Sequence, residues 1–192
     1  MQETAHQLIK SGSAKLHKRA EEVLAAGDIF RGTMSPAAYR CLLQTHAVVL
    51  GEVIEAFAKN DSSDTAPFVK MIKDLHRAAT LDTKDDQAAP LPDFADPLQV
   101  TGRPARLGSL YVLLGATHGS RMIYPRLQAN TVLGSRHNYY AASASVPVST
   151  WSSFLQLLNS ELVAPSDIAS GLRSVNMVFE RFIQVYQRLT SN

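Results

Sequence analysis

Apolar residues recur at helical spacing through most of the chain. Over residues 4–26, Ile9, Ser13, Leu16, Ala20, Val23 and Leu24 share one side of a helical wheel while Lys15, Lys18, Arg19 and Glu22 fall mostly elsewhere, which predicts an amphipathic first helix stopped by Gly27-Asp28. Ser35-Pro36 signals the start of a second helix over 36–59, ended by Asn60-Asp61-Ser62-Ser63, with Leu42, Leu43, Val49, Leu50, Val53, Ile54 and Phe57 inward. A third is predicted over 65–80, capped by Asp64 or Thr65, with Phe68, Met71, Ile72 and Leu75 as its buried stripe. Residues 81–104 carry Pro90, Pro92, Pro97, Pro104 and several Asp, the composition of a long surface connection. An apolar helix follows over 107–127, with Pro125 expected to distort or end it, and residues 128–147 show no clear stripe. Ser149 or Thr150 caps a further helix to about residue 162, carrying Trp151, Phe154, Leu157 and Leu158. Pro165-Ser166 open the last, whose face runs through Ile168, Leu172, Val175, Val178, Phe179, Phe182, Val185, Tyr186 and Leu189. Nothing alternates as a strand does, so the expected fold is all-α, a bundle of five to seven helices around one core.

The helix over 107–127, LGSLYVLLGATHGSRMIYPRL, holds the least ordinary pattern. Gly115 and Gly119 fall one turn apart with Ala116 and Ser120 beside them, leaving a strip almost without side chains. A mid-helix Gly costs roughly 1 kcal/mol relative to Ala, so the pair calls for a reason. Either a neighbouring helix packs closely there, or a flat ligand is pressed against bare backbone.

Composition narrows the possible functions. A length of 192 residues with 45% hydrophobic content suits one well-buried domain over 1–192. A net charge of +2, with no long Lys/Arg run, argues against a nucleic-acid partner. The chain shows no secretory h-region and no run of 18 apolar residues, so a cytoplasmic protein without a membrane span is expected. Cys41 is alone, which excludes an internal disulfide or a Cys-based metal cage, and a core position is expected for it.

His17 is placed by the wheel on the inner stripe of the first helix, where each ring nitrogen needs a partner: a hydrogen-bonded core residue and a metal ligand are both open readings. Glu21, one turn on, is positioned to accept from the ring N–H not used for a metal, and Lys10, two turns back, to meet an anionic group at a ligand's edge. The segment LIKSGSAKLHKRAE over 8–21, with Ser13 four residues before His17 and Glu21 four after it, is similar to the proximal-helix pattern of bacterial, biliverdin-producing haem oxygenases. LGSLYVLLG over 107–115 resembles the glycine-bearing distal helix of that family, and Trp151, Phe154 and the aromatic last helix sit where its members usually have them.

The resemblance implies a single-domain helical bundle of the haem oxygenase type that clamps haem b, as both substrate and cofactor, between the first helix and the glycine-bearing helix. His17 would be the axial ligand of the iron. Gly115 and Gly119 would let backbone approach the distal face, leaving room for dioxygen. Haem would be cleaved to biliverdin, carbon monoxide and ferrous iron with electrons from a ferredoxin or a reductase, for iron supply or a bilin photoreceptor.

Several positions depart from the family pattern. Ala116 stands where animal-type members carry a distal Asp, Ser120 where many have a second Gly, Leu114 where bacterial members often have Glu, and His118 where an apolar or small residue is common. His118 lies about 60° from Gly115 on the wheel. It could hydrogen-bond dioxygen, donate a proton, ligate iron as a sixth ligand, or pair with a neighbouring helix away from haem. The expected distal set is therefore Gly115, Gly119, His118 and Ser120, and the expected haem contacts are His17, Lys10, Glu21 and Ala116. Arg121, Arg126 and Arg136 are candidates for haem propionates, with surface solvation as the default. His46, His76 and His137 have no supporting neighbours in sequence. A carboxylate-bridged di-iron centre wants a Glu-x-x-His motif, which is lacking. No nucleophile-elbow or phosphate-loop signature occurs. The alternatives to an enzyme are a haem-binding or sensing protein of the same fold, with His118 as second ligand, and a member of the superfamily without haem.

Overall fold

In the computed structural model, which describes residues 3–58, 64–84 and 96–191, helix α1 (Ala5–Val23) opens on a reciprocal cap. The Thr4 hydroxyl accepts from the Gln7 backbone N–H, and the Gln7 side chain accepts from that of Thr4. It ends before the expected Gly27-Asp28 stop, because Ala25 turns into the left-handed region at φ 52° and starts the short α2 (Ala26–Arg31), which contains both residues. The Asp28 carboxylate serves there as a local tie, accepting from Arg31 and Thr33.

Helix α3 (Pro36–Ala58) begins as expected, with the Ser35 hydroxyl accepting from the Ala38 N–H at 3.2 Å; the expected stop at 60–63 lies outside the described residues. Contrary to the sequence expectation, α3 is long and apolar enough to cross a membrane by composition, with a mean hydropathy of 1.4 over its best window. Half of that window is buried inside the protein, where α3 packs on α4 (Ala66–Thr83) and α8 (Pro165–Thr190) as a core helix. Cys41 is half-buried at the α3–α8 contact, its Sγ 3.7 Å from the Leu189 carbonyl.

Thr65 stands at the N-cap of α4 as expected, but its side chain makes no capping hydrogen bond. Asp64 and Thr65 are both engaged by the start of α5 (Gly102–Ala129): Arg103 pairs with Asp64 and with Glu161, and the buried Arg106 donates to the Thr65 hydroxyl while its guanidinium lies 4.3 Å above the Phe57 ring. Pro90 and Pro92 fall outside the described residues, whereas Pro104 lies within the first turn of α5 rather than in a connection. The helix also continues past Pro125 to Ala129. A single 3₁₀ turn (Thr131–Leu133) leads into α6 (Asn138–Ser145), in the region where no stripe was legible. The buried Asp82 of α4 builds it, accepting from Asn138 N at 3.0 Å, Asn138 Nδ2 at 2.7 Å and Tyr139 N at 2.8 Å. Helix α7 (Val148–Glu161) starts after Pro147, so Ser149 and Thr150 lie inside its first turn and cap nothing.

The described residues thus form eight α-helices and no strand, the short α2 and α6 taking the count above the expected five to seven. Helix α8 is the central post on which α1, α3 and α5 pack. The α5–α8 crossing is a contact of backbones. A Cβ on Gly108 would overlap the carbonyl oxygen of Gly171 and come within 2.9 Å of its carbonyl carbon. The buried hydroxyls of Ser109 and Ser174 hydrogen-bond beside it at 2.8 Å. Ile9 of α1 reaches the same place, its Cδ1 3.7 Å from where a Gly171 Cβ would be, so three helices converge on one glycine.

Two outcomes follow from this packing. Gly108→Ala forces α5 off α8 and lowers unfolding free energy by about 2–4 kcal/mol in urea titrations. Asp82→Ala removes three bonds to the start of α6 and costs about 2 kcal/mol or more by the same measurement.

Candidate functional site

On the wheel of α1, Ile9, Ser13 and Ala20 face inward and are buried, while His6, Lys10 and His17 line one flank of that stripe. His17 is therefore on the rim, not on the inner stripe expected for it. Its side chain is 54% exposed, with the ring 5.2 Å from that of Phe179 on α8. Nε2 lies 3.6 Å from the Glu21 carboxylate, itself 60% exposed. That distance is too long for a hydrogen bond, so Glu21 does little to hold the tautomer and the imidazole remains available to a ligand. Lys10 is exposed on the same flank.

His6 was passed over in the sequence, although it stands three turns before His17 on the same flank. It sits where α1, α5 and α7 meet. Its ring packs on Tyr111 of α5 at 5.9 Å and edge-on to Trp151 of α7 at 6.3 Å. Burial first, and the charge of Lys10 second, hold its pKa below the usual histidine value.

Tyr111, Gly115 and Gly119 follow one another at four-residue spacing along α5. The two glycines differ in what faces them. A Cβ on Gly115 would sit 3.7 Å from Cη2 of Trp151, ordinary van der Waals contact, whereas a Cβ on Gly119 would meet nothing within 4 Å. The strip read as bare is thus covered at its first glycine and open at its second. Met122, just beyond, is 67% exposed.

His118 packs edge-on to Trp151 at 5.5 Å, on the flank of the strip. Burial, with Arg121 contributing, holds its pKa below the usual histidine value, which disfavours the charged ring. Ser120, expected beside the strip, is instead buried and turned away from it, its hydroxyl accepting from Ser143 of α6 at 2.8 Å and donating to the Ala116 carbonyl, because successive residues are rotated by about 100°. Ala116 is half-buried and brings no polar group to the strip, and Leu114 is fully buried.

The remaining candidates lie elsewhere. Arg121 donates to the Val146 carbonyl, and among the described residues its enclosed Nε has no partner. Arg126 is exposed, and Arg136 reaches the Asp82 carbonyl at 3.5 Å. His46, His76 and His137 have neighbours the sequence did not reveal. His46 stacks on Tyr139 at 4.2 Å, His137 Nδ1 lies 2.9 Å from the Tyr39 hydroxyl, and His76 packs over Gly51. Among the described residues no group of three or more His, Cys, Asp or Glu is arranged to hold a metal ion. Two surface cavities of about 320 and 630 Å³ are lined by residues 96–99 with α8, and by the end of α5 with the start of α6, and neither includes His17 or the glycines.

No protein-family model matches the sequence, and no curated protein does. Among solved structures, the haem oxygenase from Leptospira interrogans superposes with a TM-score of 0.71 over 97% of this chain and 100% of its own, at 15% identity. The chain has the haem oxygenase fold. The fold is what the superposition establishes.

The open glycine yields a test within the free protein. Gly119→Ala gains helix propensity without meeting a neighbour and raises stability by up to about 1 kcal/mol, whereas a substitution filling an already packed site would lower it; thermal melts decide between the two.

Proposed function

We propose that the protein is a haem oxygenase, binding haem b between α1 and α5 and cleaving it, with dioxygen and electrons from a ferredoxin or a reductase, to biliverdin, carbon monoxide and ferrous iron. What supports this reading is that a haem oxygenase fold carries a half-exposed imidazole over an aromatic floor on α1 and, on α5, a helix glycine that opens onto unfilled space. A flat macrocycle whose iron could be held by that imidazole would fit those features.

His17 is the iron ligand in this reading, and leaving its weak association with Glu21 costs little because both groups are largely solvated. Phe179 supports the ligating ring from below. Gly119 admits the plane of the macrocycle against backbone, and Lys10 is on the right flank for a propionate. Bound there, haem supplies both the iron that activates dioxygen and the ring carbon that is oxidised. Ala116 carries no acid, so protons would have to come from solvent, to which Met122 is exposed, and His118, packed on Trp151, would form a wall of the site. A haem-binding protein with little turnover is the second reading, favoured by the lack of a carboxylate at position 116.

Titration with hemin gives a Soret band at one haem per chain, and His17→Ala weakens binding by about tenfold or more, a difference of about 1.4 kcal/mol per decade. Ascorbate in air then bleaches that band and produces biliverdin absorbance. A Soret band that survives reductant and air selects the second reading. Folded protein that leaves the hemin spectrum unchanged rejects both.

A further inference from the structure

The two glycines of the strip are not equivalent, and the cause is one side chain. The Trp151 indole rests at van der Waals distance over Gly115, with Cη2 and Cζ3 at 3.7 and 4.0 Å from the position of a Cβ. A contact of that length leaves no layer free for a second ring. Four rings surround the indole. His6 meets it edge-on at 6.3 Å from α1, Tyr111 at 5.3 Å and His118 edge-on at 5.5 Å from α5, and Phe154 stacks on it at 5.8 Å from its own helix. Phe154 is fully buried and braced in turn, edge-on, by Phe68 of α4 at 5.4 Å. Aromatic pairs of this geometry attract one another beyond the area they bury. Swinging the indole away would break several of them together.

We propose that Trp151 is a fixed end stop that sets how far a flat ligand reaches along α5, so that the macrocycle rests on Gly119 and its inner edge abuts the indole. The residue is specificity-determining: it selects the in-plane orientation of the macrocycle, and with it the ring edge presented to the distal side. His6 and His118 are positioning residues that hold the indole from two different helices. This inference rests on haem occupying the cleft between α1 and α5.

Its test has two parts. Trp151 is the sole tryptophan of the chain, so fluorescence of the haem-free protein reports it alone. A clamped indole shows weak acrylamide quenching and high anisotropy, whereas a freely quenched, low-anisotropy indole would refute a fixed stop whether or not haem binds. The second part uses hemin and cyanide. The proton NMR spectrum of the low-spin complex shows the four haem methyls in an order set by the in-plane orientation. Wild-type protein gives one dominant set. Trp151→Ala, still loading one haem, shows a second set amounting to about a third or more of the haem, and Trp151→Phe, which keeps a ring and guards against misfolding, shows less. Both variants loading haem with the wild-type methyl order overturns the end stop and leaves the haem reading intact. Wild-type protein that forms no Soret band removes both, and the hemin titration identifies that case.

Discussion

The backbone crossing of α5 and α8 at Gly108 and Gly171 is the constraint on which the rest of the structure depends. With hydrogens in place of side chains, the two helices approach until main-chain atoms touch, and the Ser109–Ser174 bond secures the register beside the contact. Ile9 of α1 packs on the same glycine. Both α1 and α5 are thereby referenced to one point on α8, and the His6–Tyr111 ring contact ties them to each other directly. A side chain wedged into the crossing would overlap main-chain atoms and force α5 away from α8.

The side chains around α1 and α5 fall into two unlike groups. Trp151, Tyr111, His6, His118 and Phe154 interlock as rings, and burial with nearby cations disfavours the charged forms of the two imidazoles. His17, Gly119 and Met122, by contrast, each face solvent or unfilled space. A chain optimised only for stability would carry Ala at position 119, a gain of up to about 1 kcal/mol. Glycine there is a local cost that a ligand lying on bare backbone would explain.

Polar groups follow the same logic of distant partners. Asp64 and Thr65 have the chemistry of helix caps, yet Arg103 and Arg106 of α5 take them instead. Burying a guanidinium is costly unless its donors are met, and Arg106, at 4% exposure, must use whatever oxygen lies near. Asp82 shows the reverse case: a carboxylate in α4 that looks unremarkable in sequence becomes the N-terminal anchor of α6. Ser120, placed beside the bare strip by spacing, bonds Ser143 because α6 stands where it points.

Periodicity by itself determined the all-α class, the six longer helices, the inward stripes from Ile9 to Tyr186, and a glycine pair on α5 whose cost demanded a reason. Those features depend on the helical repeat and on residue types a turn or two apart, and they are legible wherever the chain is read. Only the tertiary structure decided that α6 exists, that Pro125 is carried inside a continuing helix, that His17 stands on a rim with Glu21 merely nearby, and that Trp151 covers Gly115 while leaving Gly119 open. Each of these is fixed by atoms from elements far apart in sequence, meeting at distances of a few ångströms that local spacing does not encode.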